Sequence, residues 1–218
     1  MENKGKKPPK GNVSFNITLS DEQKRAKEQI IKHAYSFVVG KAGSGKTLLA
    51  VQVALDMYFK RQYNKIVITR PTVSTEDNGF LPGTEREKLE PWLIPIMSNM
   101  RKVYNKPEKI KTMVDNEEIE LVSLTHFRGR TFDNAVVIVD EFQNLTKAQL
   151  RMALGRLGKD SIMIFCGDNQ QVDLKDVFNS AIDDIAKMEQ SKYVYKIVLE
   201  DNHRHKAIGD VLRLLTGY

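Results

Sequence analysis

Residues Gly40-Lys41-Ala42-Gly43-Ser44-Gly45-Lys46-Thr47 set two glycines, a lysine and a hydroxyl at the spacing G-x-x-x-x-G-K-[ST]. Glycines let the backbone curl until successive N–H groups converge on phosphate oxygens. A helix beginning at the end of such a loop adds a partial positive charge at the same point. In that arrangement Lys46 reaches the β- and γ-phosphates, the Thr47 hydroxyl ligates Mg²⁺, and the run from Gly40 to Leu48 contacts the nucleotide. The pattern specifies a nucleoside triphosphate and says little about the reaction.

A second pair of groups bears on the reaction. The apolar run Val136–Val139 ends in Asp140-Glu141. A carboxylate at a strand tip can hold Mg²⁺ through a water, and Glu141 beside it can orient and deprotonate an attacking water. The alternative for Glu141 is a solvated carboxylate after a strand, and the complete phosphate loop favours catalysis. Glutamate here also favours hydrolysis over transfer to a small acceptor, since a kinase must keep water from the γ-phosphate. Another apolar run, Ile162–Cys166, leads into Gly167-Asp168-Asn169-Gln170-Gln171. From that strand tip Gln171, or else Gln170, could hydrogen-bond the γ-phosphate or the lytic water. Asp168 and Asp173 read equally as turn formers or ligands. Cys166, within an apolar strand, reads as a core residue.

Elements that could position these groups alternate along the chain. Ser36–Val39, Ile66–Thr69, Ala135–Val139, Ile162–Cys166 and Val194–Leu199 are nearly continuous runs rich in Val and Ile, as expected of strands buried on both faces. Helical patterns separate them, at about Lys46–Lys60, Thr146–Leu157, Asp176–Met188 and Ala207–Leu215. Thr146 and Gln149 have the spacing of a capping box. The alternation predicts one α/β domain whose mostly parallel sheet carries helices on both faces. Arg70–Thr125 breaks the rhythm with five prolines, a Gly79–Gly83 turn and Trp92. It reads as an edge insertion, in which Ile110–Val114 and Ile119–Ser123 suggest a small hairpin.

Composition bounds the rest. The chain has 218 residues, 41% hydrophobic and 28% charged, which suits one soluble domain and excludes a disordered chain. No apolar run approaches the ~18 residues of a membrane span, so no membrane partner is expected. A polar, basic start without an apolar stretch is no secretory signal, and a single cysteine excludes an internal disulfide or a cysteine-rich zinc site. A cytoplasmic setting follows as the expectation. The net charge of +6 permits a polyanionic partner without requiring one. Residues 1–16, with Lys4, Lys6, Lys7 and Lys10, read as a flexible basic arm, and residues 17–218 as the domain.

Taken together, these strings resemble the PhoH family, P-loop ATPases related to the core of superfamily 1 helicases. The resemblance rests on the phosphate loop, Thr69-Arg70-Pro71, Gly79-Phe80-Leu81-Pro82-Gly83, Arg128-Gly129-Arg130-Thr131, Asp140-Glu141-Phe142-Gln143-Asn144, Gly167 to Asp173, and Arg204-His205. It runs from about Thr18 to Gly217. The family usually has Ala at the position of Phe142 and Pro at that of Lys206. The resemblance implies a single RecA-like P-loop NTPase core, with ATP and Mg²⁺ as cofactors. It also makes Gln23, in Thr18-Leu-Ser-Asp-Glu-Gln23, similar to a helicase glutamine that reads adenine. The competing role for Gln23 is a capping box with Ser20.

An arginine that meets the γ-phosphate in the transition state accelerates hydrolysis on the order of 10³-fold or more. Arg204, Arg130, Arg128 and Arg70 are the candidates, with Arg204 read as catalytic and Arg130 as nucleotide-binding. Two-core helicases supply such arginines from a second core, for which 218 residues leave no room. The expectation is a homo-oligomeric ring, a hexamer favoured, in which subunits complete one another's sites. His33, His126, His203 and His205 lack metal-ligand spacing. Family links to RNA metabolism and helicase activity imply single-stranded RNA or DNA as partner, with Phe80 and Trp92 as candidate stacking groups. Asp115–Glu120 is acidic and argues the other way. Against an ATPase ring acting on nucleic acid stands an ATP-dependent scaffold or switch without strand-separating activity. A small-molecule kinase is disfavoured by Glu141 and the Gly167–Gln171 string.

Overall fold

The Val- and Ile-rich runs form five strands, β1 (Tyr35–Gly40), β2 (Lys65–Thr69), β4 (Ala135–Asp140), β5 (Ile162–Gly167) and β6 (Val194–Leu199), joined by a short sixth, β3 (Ile119–Leu121). The computed structural model describes residues 13–71, 85–168, 171–203 and 207, with the backbone alone over 85–93. The Gly79–Gly83 turn with Phe80, the Trp92 side chain, Gln170, Arg204, His205 and the helical pattern after Ala207 lie outside the described residues, as do residues 1–12 of the basic arm.

The sheet order is β3-β2-β4-β5-β1-β6, and every pairing within it is parallel. Parallel neighbours need crossovers, which the helices supply. They are α1 (Asp21–Lys32), α2 (Lys46–Phe59), α3 (Glu85–Val103), α4 (Pro107–Asp115), α5 (Leu124–Phe127), α6 (Lys147–Leu154) and α7 (Ile185–Met188). Alternate strand residues point to opposite faces. Val38, Ile66, Ile68, Val136, Ile138, Ile164 and Cys166 face a core built with α1, α2 and α3, while Phe37, Val39, Val67, Val137, Val139, Met163 and Phe165 face a second core with α5, α6 and α7. Helix α2 is apolar almost all round, with Leu49, Val51, Val53 and Leu55 fully buried, as a helix must be when packed between the sheet and other helices.

Caps mark the helix starts. Both capping boxes read from the sequence form, Ser20 with Gln23 on α1 and Thr146 with Gln149 on α6. Helix α2 starts differently. Its cap is Gly45 in a left-handed conformation (φ 82°), with no side chain bonding the first N–H groups. Those donors are left facing the loop, as an anion site requires.

Four expectations need correction. Ile110–Val114 is not a hairpin strand but part of α4, with Ile110 and Met113 one helical turn apart and both buried. Its partner run forms β3, which pairs in parallel with β2, so the 70–125 segment contributes the edge strand of the main sheet. Asp176–Met188 is not one helix but two short 3₁₀ turns, Val177–Asn179 and Ala181–Asp184, followed by α7, because Ser180 caps a new turn at Ile182. Strand β6 is an edge strand, with Tyr195 and Val198 exposed. Within the span assigned to the arm, Val13 and Phe15 pack on the core and the Asn16 N–H bonds the Val103 carbonyl at 2.9 Å.

Candidate active site

Three neighbouring strands end at one edge and bring the chemistry together. Strand β5 lies between β1 and β4, with Val38, Cys166 and Asp140 level across the sheet. The phosphate loop leaves β1, Asp140 ends β4 with Glu141 next to it, and Asp168 follows β5. The sheet order therefore collects all three strings at its carboxyl edge, where open α/β sheets place their ligands.

Within the loop, Gly43 (φ 93°) and Gly45 (φ 82°) take left-handed conformations that other residues rarely adopt. The Ser44 N–H closes a turn onto Lys41 O at 3.1 Å. Lys46 Nζ lies back over the loop, donating to the Gly40 carbonyl at 2.7 Å and the Lys41 carbonyl at 3.0 Å. Ser44 Oγ is buried without a partner. The curled loop, the inward lysine and the uncapped α2 terminus fit a triphosphate.

The Thr47 hydroxyl donates to Asp140 Oδ1 at 2.8 Å, so two hard oxygen atoms stand side by side at the start of α2. Burial pushes the Asp140 carboxyl up to about 6, and the neighbouring Glu141 charge adds to this. The Thr47 hydroxyl and the Arg70 guanidinium pull the other way. An oxygen pair with excess negative character suits a Mg²⁺ ion. Arg70, at the end of β2, places its guanidinium 3.8 Å from Asp140 and 3.5 Å from Glu141. Of the candidate arginines among the described residues, Arg70 is the one brought to Asp140 and Glu141.

Glu141 adopts a left-handed backbone (φ 52°), unusual for a residue with a side chain. Its carboxylate accepts from Gln143 Nε2 at 2.6 Å. Gln143, completely buried, also donates to the Gln171 carbonyl at 3.0 Å and accepts from the Asp168 N–H at 3.2 Å. One amide thus ties the proposed base to the β5 loop. In the sequence Gln143 stands out only as part of the Asp140–Asn144 string; its place two residues after the Glu141 carboxylate, just past a strand tip, is the available signal. Gln171 enters the network through its backbone, and its residue is exposed. Farther along, Asn144 bonds both the N–H and the carboxylate of Asp173, and the Ser180 hydroxyl donates to Gln143 O at 2.6 Å.

Phe142 occupies space that Gly167 leaves free, since a Cβ on Gly167 would stand 2.5 Å from its ring. The ring meets Phe37 and Phe165 edge-on, centroids 5.4 Å and 5.9 Å away. Cys166 is buried, and burial raises its thiol pKa well above the ordinary range, as befits a core residue.

Gln23 and Arg130 fall in different places. Gln23 is buried beside the loop, with Nε2 3.5 Å from Ser44 O and 3.4 Å from His203 Nε2, while its Oε1 accepts the Ser20 N–H of the capping box at 3.1 Å. The capping-box role is therefore the one formed, at a position beside the phosphate loop. Arg130 is not at this chain's own phosphate loop. It grips Glu120 of β3 with two hydrogen bonds. Three strands separate β3 from β1, on the order of 19 Å at ~4.8 Å per strand. Arg130 instead lines a cavity of about 640 Å³ between α3, α4 and β3. Arg128 is exposed.

Comparison with known proteins bears on the family and the fold. The family described as PhoH-like protein matches residues 17–216. A PhoH-like protein of Synechocystis is 41% identical over 161 residues, 73% of this chain and 49% of the relative. Another, from Mycobacterium leprae, is 34% identical over 200 residues, 90% of this chain and 57% of the relative. The chain thus spans about half the length of these relatives. Among solved structures, the large terminase of a thermophilic bacteriophage superposes with a TM-score of 0.53 over 90% of this chain and 50% of its own, at 12% identity. That likeness shows a shared fold, the RecA-like P-loop α/β core. Among the described residues no helix is long and apolar enough to cross a membrane.

Proposed function

Given that the chain belongs to the PhoH-like protein family, we propose that it is a Mg²⁺-dependent ATPase acting as an oligomeric ring on single-stranded nucleic acid. The observation that carries the hydrolytic part is the Thr47–Asp140 hydrogen bond with Glu141 beside it, braced by Gln143 and faced by Arg70. In this reading the loop N–H groups and Lys46 bind the triphosphate, and Lys46 exchanges its carbonyl partners for phosphate oxygens. Thr47 and Asp140 would hold Mg²⁺, which would supply positive charge to the triphosphate. Glu141 accepts a proton from the attacking water. Gln171 reports the γ-phosphate through the β5 loop, and Gln23 reads adenine.

Arginines support the ring. Arg130, on the far side of the sheet from its own loop, could reach only a neighbouring subunit's nucleotide, and Arg204 is the second proposed donor in trans. An exposed aromatic supports nucleic acid: Phe178 is 85% exposed and Val177 52%. They stand on a segment fixed at both ends, by Asn144 to Asp173 and by Gln143 to Ser180. A solvent-facing ring on a braced loop is a stacking platform, worth about 1–3 kcal/mol per base. Cytoplasmic location remains part of the same proposal.

The test is steady-state ATP hydrolysis with and without single-stranded RNA and DNA at low salt, on wild type and Phe178→Ala. Stimulation by polynucleotide that Phe178→Ala loses, with basal hydrolysis kept, is expected. Hydrolysis indifferent to polynucleotide, with no binding at low salt, leaves the ATP-dependent switch in its place.

A further inference from the structure

Strand β6 flanks β1 on the side opposite β5 and β4. With the γ-phosphate placed beside Asp140 and Glu141, as proposed above, the side of the phosphate loop left for the ribose and base is the one towards β6. The segment leaving β6 is fastened there by the first turn of α1. Glu22 receives two successive backbone donors, the Glu200 N–H on Oε1 at 2.8 Å and the Asp201 N–H on Oε2 at 3.3 Å. Ser20 Oγ adds a bond to Asp201 Oδ2 at 2.9 Å. Two residues later the His203 N–H donates to the Gly43 carbonyl of the phosphate loop at 3.1 Å.

The contact leaves little room. A Cβ on Gly40 would stand 2.5 Å from the Leu199 carbonyl oxygen, and one on Gly45 would stand 2.6 Å from Gln23 Nε2 and 3.5 Å from the His203 ring. Gln23 and His203 thus form a wall along the loop on its β6 side. Gln23 is fixed by its capping box, whereas His203 is exposed and hangs on the segment that Glu22 holds.

We propose that Glu22 is a positioning residue of the nucleotide site: by chelating the Glu200 and Asp201 N–H groups it holds the post-β6 segment against the phosphate loop and so shapes the base-binding side. This rests on the assignment of the loop to ATP. Glu22 touches no phosphate position, so its loss loosens the grip on the base and spares the grip on the phosphates. The expected kinetic form is a raised KM for ATP at nearly unchanged kcat, the signature of lost uniform binding.

The experiment is calorimetric titration of wild type, Glu22→Ala and Glu22→Gln with ATP and with inorganic tripolyphosphate, both with Mg²⁺, alongside thermal melts. Glu22→Ala is expected to weaken ATP about tenfold, the worth of a lost charge-assisted hydrogen bond, and tripolyphosphate less than about twofold. Glu22→Gln, which keeps one acceptor oxygen, is expected to fall between. An unchanged ratio of the two affinities in Glu22→Ala, with wild type binding both ligands, overturns the role of Glu22 alone. A parallel loss for both ligands also overturns it, since that marks a general structural role. Wild type binding neither ligand overturns the nucleotide reading, and this inference with it.

Discussion

Replacing Gln143 by alanine should separate catalysis from nucleotide binding. The wholly buried amide donates to Glu141 Oε2 and to the Gln171 carbonyl, and accepts from the Asp168 N–H. Alanine removes all three bonds and leaves the Asp168 N–H without its acceptor. At a net worth of about 1 kcal/mol each, the loss is about 3 kcal/mol of stability. For a chain of this size that lowers the melting midpoint by roughly 10 °C. The kinetic effect follows from Glu141, which then keeps the Arg70 contact at 3.5 Å but loses the hydrogen bond from Gln143 that links it to the β5 loop. A displacement of the base by ~1 Å costs on the order of 10²-fold, so kcat should fall about 10- to 100-fold. KM for ATP should change less than about threefold, because the loop, Lys46 and Thr47 are untouched. Phosphate release against ATP concentration, measured well below the variant's melting point, reads both quantities. An alanine variant with wild-type kcat, or one damaged in KM alone, would refute the idea that this amide holds the base.

Three further outcomes are expected. Burial raises the Asp140 carboxyl from 3.8 to about 6, so the folded metal-free protein binds a proton that the unfolded chain has already lost between those values. Stability should then fall as pH rises from about 4 to 6, by at most about 3 kcal/mol at ~1.4 kcal/mol per pH unit. In urea titrations in chelator, wild type should lose stability relative to Asp140→Asn across that window, and no relative loss would contradict the assignment. Gly45→Ala and Gly129→Ala share a backbone φ of 82°, but only the first would set its Cβ against another group, Gln23 Nε2 at 2.6 Å. Each should cost about 1–2 kcal/mol in backbone strain, while only Gly45→Ala should weaken ATP, by more than about tenfold in a fluorescent-nucleotide titration. Equal ATP affinities would show that the loop tolerates the added methyl. Finally, if Arg130 serves a neighbouring subunit, Arg130→Ala and Lys46→Ala should each be inactive and regain part of the activity on mixing. Full activity of Arg130→Ala alone would end that role.

Much of the candidate site was legible because the chemistry proposed for it depends on fixed spacing. A phosphate loop needs its glycines, lysine and hydroxyl within one turn, and a strand tip needs its carboxylates where the apolar run stops. The strands were legible for the same kind of reason, since burial on both faces forces unbroken apolar runs in β2, β4 and β5. Gln143 was harder to see. Its role exists only because β5 lies between β1 and β4 and brings Asp168 and Gln171 within reach, a fact of strand order that no local pattern carries. The hairpin expectation failed where two periods compete: Ile110-Lys111-Thr112-Met113-Val114 satisfies neither cleanly, yet Pro107 at the first turn and the Ile110–Met113 spacing are helical signals. Asp176–Met188 has helical composition but is interrupted by Ser180, whose hydroxyl reaches the Gln143 carbonyl instead of extending one helix. Glu120, counted among acidic residues unfriendly to nucleic acid, is taken up by Lys65 and Arg130. The Arg130 contact is the chief reason its carboxyl sits below the ordinary range.

The central claim is that Glu141 is the base of an ATP-hydrolysing site whose metal ligands are Thr47 and Asp140. Single-turnover hydrolysis of Mg²⁺-ATP by wild type and Glu141→Gln, with the nucleotide affinity of each measured in parallel, tests it most directly. The account predicts affinities within about threefold of one another and a hydrolysis rate at least about 10²-fold lower in Glu141→Gln. Equal hydrolysis rates in the two proteins would contradict it.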